Sequence, residues 1–240
     1  MAAMQDIKAL IFDVFGTVVD WRTSVAREAG AFFAGRAIDA DPLAFADAWR
    51  ERYQPAMEEV RSGRRPFVPL DVLHRENLEA VLAEVGVDVG AVPEEELARL
   101  NTAWHRLDPW PDAVAGLHRL RADRIVAPHS NGNFALLVNL ARYAGLPWDG
   151  IIGAEVVQAY KPKRRSYLGA VELLGLAPEQ VMMVAAHNGD LAAARRAGLA
   201  TAFVPRPTEF GPGQQDDLTP TDDWDVAAAD FHDLADRLNL

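Results

Sequence analysis

The sequence predicts an α/β protein with a Rossmann-like parallel sheet as its core and an inserted α-helical cap subdomain. A short apolar run, Ile7 to Phe12, ends at Asp13 and is typical of a buried strand. The segment from about Thr23 to Arg106 has helical spacing and no convincing strand. Strand and helix signals then alternate, which indicates parallel strands joined by crossover helices.

Helix breakers divide the helical segment at Pro42, at residues 63–69 and at Pro93, which indicates about four helices. A long surface loop is expected at residues 205–223, which are rich in Pro, Gly, Asp and Thr, before a last helix. The predicted division is a core of residues 1–20 and 108–240 and a helical cap of residues 21–107. Strands are expected at 124–127, 151–152, 181–185 and 201–204, and helices at 135–143, 165–174 and 191–197.

Composition restricts the classes of function. The chain has 240 residues, of which 50% are hydrophobic, and a formal net charge of -11. Such a chain is not expected to bind nucleic acid, because phosphate backbones are bound through clusters of Lys and Arg. The densest basic group, Arg61, Arg64 and Arg65, is interpreted as a solvated loop. The absence of cysteine excludes thiolate catalysis and Cys-ligated zinc.

The first residues do not form an apolar stretch of the length of a signal peptide or membrane span. Asp6 and Lys8 interrupt the apolar residues there. We therefore expect a cytoplasmic protein without a membrane contact.

Polar side chains follow the predicted strands at the points where these strands end. Ligands of an open parallel sheet bind beyond the carboxyl ends of its strands. Two carboxylates, a lysine and small polar groups therefore predict one site at this edge. The residues concerned are Asp13 with Thr17, Ser130 with Asn131, Lys161 in its loop, and residues 186–190, AHNGD.

Four stretches, in this order, resemble the motifs of the haloacid dehalogenase superfamily, and in particular of its type II (L-2-haloacid) dehalogenases. They are FDVFGT at 12–17, HSNGN at 129–133, YKP at 160–162 and AHNGDLAAARRAG at 186–198. The resemblance implies a hydrolase acting on carbon–halide bonds, which converts small (S)-2-haloalkanoic acids to (R)-2-hydroxy acids through an aspartyl ester on Asp13. It also implies a homodimer.

Two positions separate the chain from the phosphatases of that superfamily. Phosphatases carry a second Asp two residues after the nucleophile, where this chain has Phe15. General acid catalysis contributes about 10²- to 10⁴-fold, and a halide, unlike an alkoxide, leaves without a proton. In the last motif, Ala186 stands where a Mg²⁺-binding Asp is expected. We therefore predict a reaction that needs no metal and no cofactor.

Positive charge is needed beside Asp13, because the substrate of those dehalogenases is itself an anion. Two unit charges about 4 Å apart repel by about 4 kcal/mol at an effective dielectric constant of 20. By resemblance, Thr17 and Lys161 keep the Asp13 carboxylate ionised and oriented towards the substrate. Arg50, in the predicted cap, resembles the arginine that meets the departing halide. The alternative is a surface arginine that pairs with an acid of its own helix.

Further positions are expected to contact the substrate. By resemblance, the Ser130 hydroxyl and nearby backbone N–H groups bind the substrate carboxylate, while Asn131 solvates the halide and Phe15 lines the pocket. Tyr167 lies at the spacing after the motif lysine at which that family has a site tyrosine, and a core tyrosine is the alternative. Asn188 takes a polar role if the last loop is shifted by one residue.

The water that hydrolyses the ester requires a base. The best-known dehalogenase pattern here is SSNxxD, but Ala185 and His187 stand at its serine and asparagine positions. Histidine is the commonest general base near neutral pH. We therefore predict that His187, oriented by Asp190, activates the water. The alternative is a histidine that is only hydrogen-bonded structurally in a loop.

Two other functions stay open. One is a Mg²⁺-dependent phosphatase or phosphonatase-like hydrolase of the same superfamily, which Phe15 and Ala186 oppose. The other is a non-catalytic relative that binds a small anion, which Ala185 and His187 favour. The retained nucleophile, lysine and acid favour the enzyme. The sequence does not predict which halide or acid chain length is preferred, fluoroacetate included.

Overall fold

The computed structural model describes residues 4–240, and residues 1–3 of the predicted core lie outside them. Its main sheet has six parallel strands in the order β5-β4-β1-β6-β7-β8, and β2 pairs with β3 in a separate antiparallel ladder. The strands are β1 (Ala9–Phe12), β2 (Val19–Asp20), β3 (Asp108–Pro109), β4 (Ile125–Ser130), β5 (Ile152–Gly153), β6 (Val181–Ala185), β7 (Ala200–Phe203) and β8 (Val226–Ala227).

Helices cover both faces of the sheet and fill the chain between β2 and β3. Short 3-10 turns lie at Met4–Asp6, Val89–Ala91, Thr102–His105 and Pro178–Gln180. The α-helices are α1 (Trp21–Arg36), α2 (Pro42–Glu51), α3 (Tyr53–Arg61), α4 (Leu70–Glu84), α5 (Glu94–Asn101), α6 (Ala113–Arg121), α7 (Phe134–Ala144), α8 (Ala154–Val157), α9 (Arg164–Leu174), α10 (Asn188–Ala197) and α11 (Phe231–Arg237).

Strand β1 lies at the centre of the sheet, between β4 and β6. Its residue Leu10 is in register with Val126 on one side and Met182 on the other. All four β1 residues are buried, because helices cover both faces of a parallel sheet. This explains why the sequence of β1 is a continuous apolar run and not an alternation of apolar and polar residues. Since β1 ends at Phe12, the following residues lie at the carboxyl edge of the sheet.

Local signals fix where the first helices begin. The Asp20 side chain accepts a hydrogen bond from the backbone N–H of Thr23 and so caps α1. The Asp41 side chain caps α2 in the same way, with Pro42 in the first turn of that helix. Pro42 therefore opens a helix, in agreement with the break predicted at this residue.

The helical segment, residues 21–107, leaves and re-enters the sheet region at neighbouring points. Val19 of β2 is in register with Pro109 of β3, so the two ends of the segment are held together. Its aromatic side chains Trp21, Trp49 and Trp104 belong to the same buried cluster as Phe15, which follows β1. The segment therefore packs over the carboxyl edge of the sheet, where the site is expected.

The predicted α/β fold is confirmed, and each predicted strand and helix after residue 107 is present within a few residues. The prediction missed the β2–β3 ladder, α6, α8 and β8. The interpretation of 205–223 as a surface loop is wrong in part, because Arg206, Glu209 and Gln214 are buried. The solvated-loop interpretation is wrong for Arg61, which ends α3 with only 12% of its side chain exposed.

None of the helices in residues 4–240 has both the length and the apolar character needed to cross a membrane.

Candidate active site

Asp13 lies directly after β1 and is held by groups from β6, from the loop that carries Lys161 and from its own turn. Its backbone N–H donates to the Val184 carbonyl at 3.0 Å. The Lys161 Nζ donates to its Oδ1 at 2.7 Å, and the Thr17 hydroxyl donates to its Oδ2 at 2.8 Å. Thr17 Oγ1 in turn accepts from the Ala186 N–H at 2.9 Å. The carboxylate is therefore fixed in position, and its side chain is buried, with 11% of its surface exposed.

Lys161 bridges two carboxylates of the site, those of Asp13 and Asp190. Its Nζ lies 2.7 Å from Asp13 Oδ1 and 2.5 Å from Asp190 Oδ2. The Tyr167 hydroxyl donates to the other oxygen of Asp190 at 2.5 Å. Asp190 thus fixes the lysine, and the tyrosine fixes Asp190, so the predicted Lys161, Tyr167 and Asp190 come together in one chain of hydrogen bonds.

The opposite charges of Asp13 and Lys161 stabilise each other. Burial alone would raise the pKa of Asp13, but the positive charges of Lys161 and His187 hold that pKa well below its usual range. Burial alone would lower the pKa of Lys161, but Asp13 and Asp190 raise it above its ordinary value. Asp13 is therefore an ionised carboxylate at neutral pH, as a nucleophile must be.

His187 lies between Asp13 and an acid that the sequence analysis missed, Glu209. Its Nδ1 is 3.1 Å from Asp13 Oδ2, and its Nε2 is 2.8 Å from Glu209 Oε2. Burial opposes protonation, but Glu209 and then Asp13 raise the pKa of His187 well above its ordinary value. The prediction that Asp190 orients this ring is wrong, because the Asp190 carboxylate is engaged by Lys161 and Tyr167.

Glu209 reaches the site because position 16 has no side chain. A Cβ at Gly16 would lie 2.0 Å from Glu209 Oε1, and Gly16 also has a positive φ of 88°. The carboxylate is 1% exposed and accepts a hydrogen bond from Trp21 Nε1 at 3.0 Å. In the sequence, the glycine of FDVFGT indicates that another group lies close to position 16. It does not indicate which side chain that is.

Arg50 presents to the site a donor that has no partner in the described part of the chain, residues 4–240. Its Cζ lies 4.1 Å from the ring centroid of Tyr53 and 5.3 Å from that of Trp21. Its Nη1 is buried and makes no hydrogen bond within residues 4–240. The nearby acid Asp47 pairs with Arg22 instead, at 2.7 Å. An unpaired buried guanidinium nitrogen is costly unless an anion or water binds there.

Asn131, directly after β4, lines the cavity. Ser130, the last residue of β4, lies behind the cavity lining. Asn131 Oδ1 accepts from the Lys161 backbone N–H at 2.8 Å, which leaves its Nδ2 as a donor. Ser130 is buried, and its Oγ accepts from the Gly132 N–H at 3.1 Å. Asn131 therefore lies where it was predicted, and Ser130 keeps its hydroxyl proton free to donate.

Asn188 does not come to the site. Its Nδ2 donates to Asp217 and its Oδ1 accepts from Trp224 Nε1 at 2.8 Å. These contacts tie the loop of residues 205–223 to the start of α10. The expected substrate contact of Asn188 therefore has no support from its surroundings.

A cavity of about 990 Å³ opens beside Asp13, between the sheet edge and the helical segment. Phe15 forms part of its wall and packs edge-on to Trp104 with ring centroids 5.6 Å apart. Of the predicted site residues, those lining the cavity are Asp13, Phe15, Arg50, Asn131, Lys161, Tyr167, His187 and Asp190. Thr17 lies behind Asp13, to which it is bonded.

Within residues 4–240, the His, Asp and Glu side chains form no group of three or more that is arranged to hold a metal ion. The space between Asp13 and Asp190 is taken by the Lys161 ammonium. The two carboxylates at this position are thus arranged to form ion pairs with Lys161.

Comparison with known proteins agrees with this geometry. Residues 7–198 match the family profile described as haloacid dehalogenase-like hydrolase. The chain is similar to the (S)-2-haloacid dehalogenase of Xanthobacter autotrophicus, with 31% identity over 203 residues, 83% of this chain and 76% of the relative.

Solved structures give the same result. A defluorinating L-2-haloacid dehalogenase superposes with a TM-score of 0.96 and 52% identity, covering 98% of this chain and 96% of that one. The L-2-haloacid dehalogenase of Xanthobacter autotrophicus with chloropropionic acid covalently bound superposes with a TM-score of 0.79 and 26% identity, covering 97% and 98%. The resemblance found in the sequence motifs is confirmed, and the chain belongs to the haloacid dehalogenase-like hydrolase family.

Proposed function

We propose that the chain is a hydrolase of carbon–halide bonds that converts small (S)-2-haloalkanoic acids to (R)-2-hydroxy acids through an ester on Asp13. The observation that carries the proposal is an ionised, buried carboxylate at a cavity that also contains an arginine donor, Arg50 Nη1, with no partner among residues 4–240. The similar proteins named as 2-haloacid dehalogenases support the same substrate class.

In the first step, Asp13 Oδ1 attacks the 2-carbon of the substrate and the carbon–halide bond breaks. Oδ2 has two contacts, Thr17 and His187, whereas Oδ1 has only Lys161 among the described residues, so Oδ1 is the freer oxygen. The attack inverts the configuration at the 2-carbon. The negative charge of Asp13 passes to the departing halide.

The halide needs donors where its charge develops. Arg50 Nη1 and Asn131 Nδ2 are donors without partners in residues 4–240, and both residues line the cavity. The Ser130 hydroxyl is assigned to the substrate carboxylate, and Phe15 and Tyr167 to the walls of the pocket. Lys161 and Thr17 keep Asp13 aimed throughout.

Hydrolysis of the ester is assigned to His187 together with Glu209. Ester formation removes the charge of Asp13, one of the two anions beside the ring, so the pKa of His187 falls and its Nδ1 proton leaves to solvent. Nδ1 then accepts a proton from water as the water oxygen attacks the Asp13 carboxyl carbon. The bond between the Asp13 carboxyl carbon and the ester oxygen then breaks, and the departing alkoxide oxygen takes the second proton of the attacking water. This returns the Asp13 carboxylate and the hydroxy acid, with His187 again protonated.

The reaction is proposed to need no metal and no cofactor. The Lys161 ammonium pairs with both Asp13 and Asp190, and Ala186 offers no ligand at the position where the phosphatase motif has an Asp. Phe15 cannot protonate an alkoxide, which disfavours a phosphatase or phosphonatase-like reaction. The nucleophile, lysine and acid form one bonded network, which disfavours a non-catalytic anion-binding protein.

The same proposal treats residues 21–107 as a cap that closes over the core of residues 1–20 and 108–240. It also includes a homodimer in the cytoplasm, with a small 2-haloacid and halide as the molecules bound and neither nucleic acid nor membrane as a partner. Sedimentation analysis of the purified protein tests the dimer.

The function is tested by halide release from racemic 2-chloropropionate in EDTA, with Asp13→Asn as the control. We expect release of halide that survives EDTA, consumes the (S) enantiomer only and disappears in the variant. Phosphate release from p-nitrophenyl phosphate with Mg²⁺, without halide release, would support the phosphatase instead. Silence in both assays would favour the anion-binding protein.

A further inference from the structure

Arg61, the last residue of α3, connects the helical segment to the backbone of Lys161. Its Nη1 donates to the Lys161 carbonyl at 3.0 Å and to Gln54 Oε1 at 3.0 Å. Its Nε donates to Glu58 Oε2 at 2.8 Å, and its Nη2 to the Gln54 carbonyl at 3.2 Å. The guanidinium is therefore held by its own helix while one nitrogen reaches across the cavity wall.

Lys161 is consequently fixed at both of its backbone polar atoms. Its N–H donates to Asn131 Oδ1 from the sheet side, and its carbonyl accepts from Arg61 from the helical side. Its Nζ must meet Asp13 at 2.7 Å and Asp190 at 2.5 Å. A long flexible side chain keeps such short contacts only if the backbone that carries it does not move.

We propose that Arg61 is a positioning residue for the dehalogenation, which acts through the Lys161 carbonyl to keep the lysine ammonium on Asp13 when α3 is docked. The inference rests on the function proposed above. Arg61 transfers no proton and forms no bond to the substrate. Its role is to make alignment of the nucleophile depend on contact between the helical segment and the sheet region.

Two other roles of Arg61 predict different measurements. If it only stabilises α3, its loss lowers the melting temperature without changing the chemistry of the folded enzyme. If it only attracts the anionic substrate through its charge, its loss raises KM alone, and a lysine restores KM. A positioning residue lowers kcat, slows ester formation and shifts the acidic limb of the pH profile.

The pH readout reports the ionisation of Asp13. The charged groups around Asp13 are Lys161 and His187, with Asp190 and Glu209 behind them. All of these remain in an Arg61 variant. If Lys161 moves away, Asp13 loses an opposite charge and its pKa rises, so activity is lost at a higher pH than in the wild type.

The experiment compares Arg61→Met and Arg61→Lys with Arg64→Met as the control. Arg64 follows in the same stretch, its side chain is 58% exposed, and among residues 4–240 it pairs with Glu59 alone. Halide release from (S)-2-chloropropionate is measured in single turnover and at steady state over a range of pH. The covalent ester on Asp13 is followed by mass spectrometry, and melting temperatures are recorded.

We expect Arg61→Met to lower kcat and the rate of ester formation by about 10- to 100-fold, since a hydrogen bond of a charged donor is lost. The acidic limb should move to higher pH, Arg61→Lys should recover part of kcat, and Arg64→Met should match the wild type. Unchanged kcat with either a raised KM or a lowered melting temperature would overturn the inference. A wild-type enzyme that releases no halide would instead refute the proposed function.

Discussion

The Glu209→Gln variant tests the most specific feature of the site, the carboxylate behind His187. The amide keeps the shape of the side chain and can still accept from Trp21, but it removes the negative charge 2.8 Å from His187 Nε2. Glu209 is buried and His187 is half-buried, and the substitution keeps the size of the side chain, so the change removes an electrostatic effect with little loss of packing.

The magnitude follows from Coulomb's law. At the observed separation of 2.8 Å, two unit charges attract by about 1.5 kcal/mol in water and by about 6 kcal/mol at an effective dielectric constant of 20. A change of one pKa unit corresponds to about 1.4 kcal/mol. Glu209→Gln should therefore lower the pKa of His187 by at least about one unit, and the imidazolium that forms during ester hydrolysis loses its stabilising anion.

The assay separates the two half-reactions. Rapid-quench measurements should give a burst of halide at nearly the wild-type rate, followed by turnover slowed by about 10- to 100-fold, as expected when general base catalysis is weakened. Mass spectrometry should find the ester accumulated on Asp13, and NMR titration should give the lowered pKa of His187. The exposed Glu172→Gln is the matched control.

Two results would refute this reasoning. An unchanged pKa of His187 in Glu209→Gln would mean that the carboxylate does not act on the ring electrostatically. Loss of the halide burst together with normal hydrolysis of a preformed ester would move Glu209 to the first half-reaction.

Two further variants test other contacts. Tyr167→Phe removes the hydroxyl that donates to Asp190, so kcat for halide release should fall by about tenfold, and an unchanged kcat would contradict a role for this contact. His74 is fully buried without hydrogen-bond partners in residues 4–240, and burial lowers its pKa from 6.5 to about 3. The unfolded chain therefore binds a proton that the folded one rejects, and stability falls as the pH drops below about 6.5. In His74→Leu, the loss of unfolding free energy between about pH 7.5 and about pH 5 should be smaller by about 2 kcal/mol, measured by urea unfolding.

The sheet could be predicted from the sequence because its central strands are continuous apolar runs. Strand β1 and strand β6 are buried at every residue, which leaves a strong signal. Strand β8 has only two residues, Val226 and Ala227, one of them exposed, and no pattern of that length is distinctive. The antiparallel pair β2–β3 depends on two segments that are distant in the chain and meet only after folding.

The core of the site could be predicted because its residues lie in recognisable motifs in and between the strands and helices of the sheet region. Asp13, Lys161 and Asp190 belong to this set. Glu209 could not be predicted, because it lies in an irregular loop and its path to His187 depends on how that loop packs. Arg61 was misjudged for a similar reason: its position beside other arginines indicates solvent, whereas docking of α3 against the Lys161 loop buries it.

The contact between Gly16 and Glu209 links two positions that are far apart in the chain. The space of a Cβ at position 16 is the space that the carboxylate occupies, so a side chain at 16 and an acid in this place exclude each other. A chain of this family that combines the glycine, the histidine and an acid in the loop after β7 should share this way of activating water. Its sequence alone could then sort it from members that carry a larger residue at position 16.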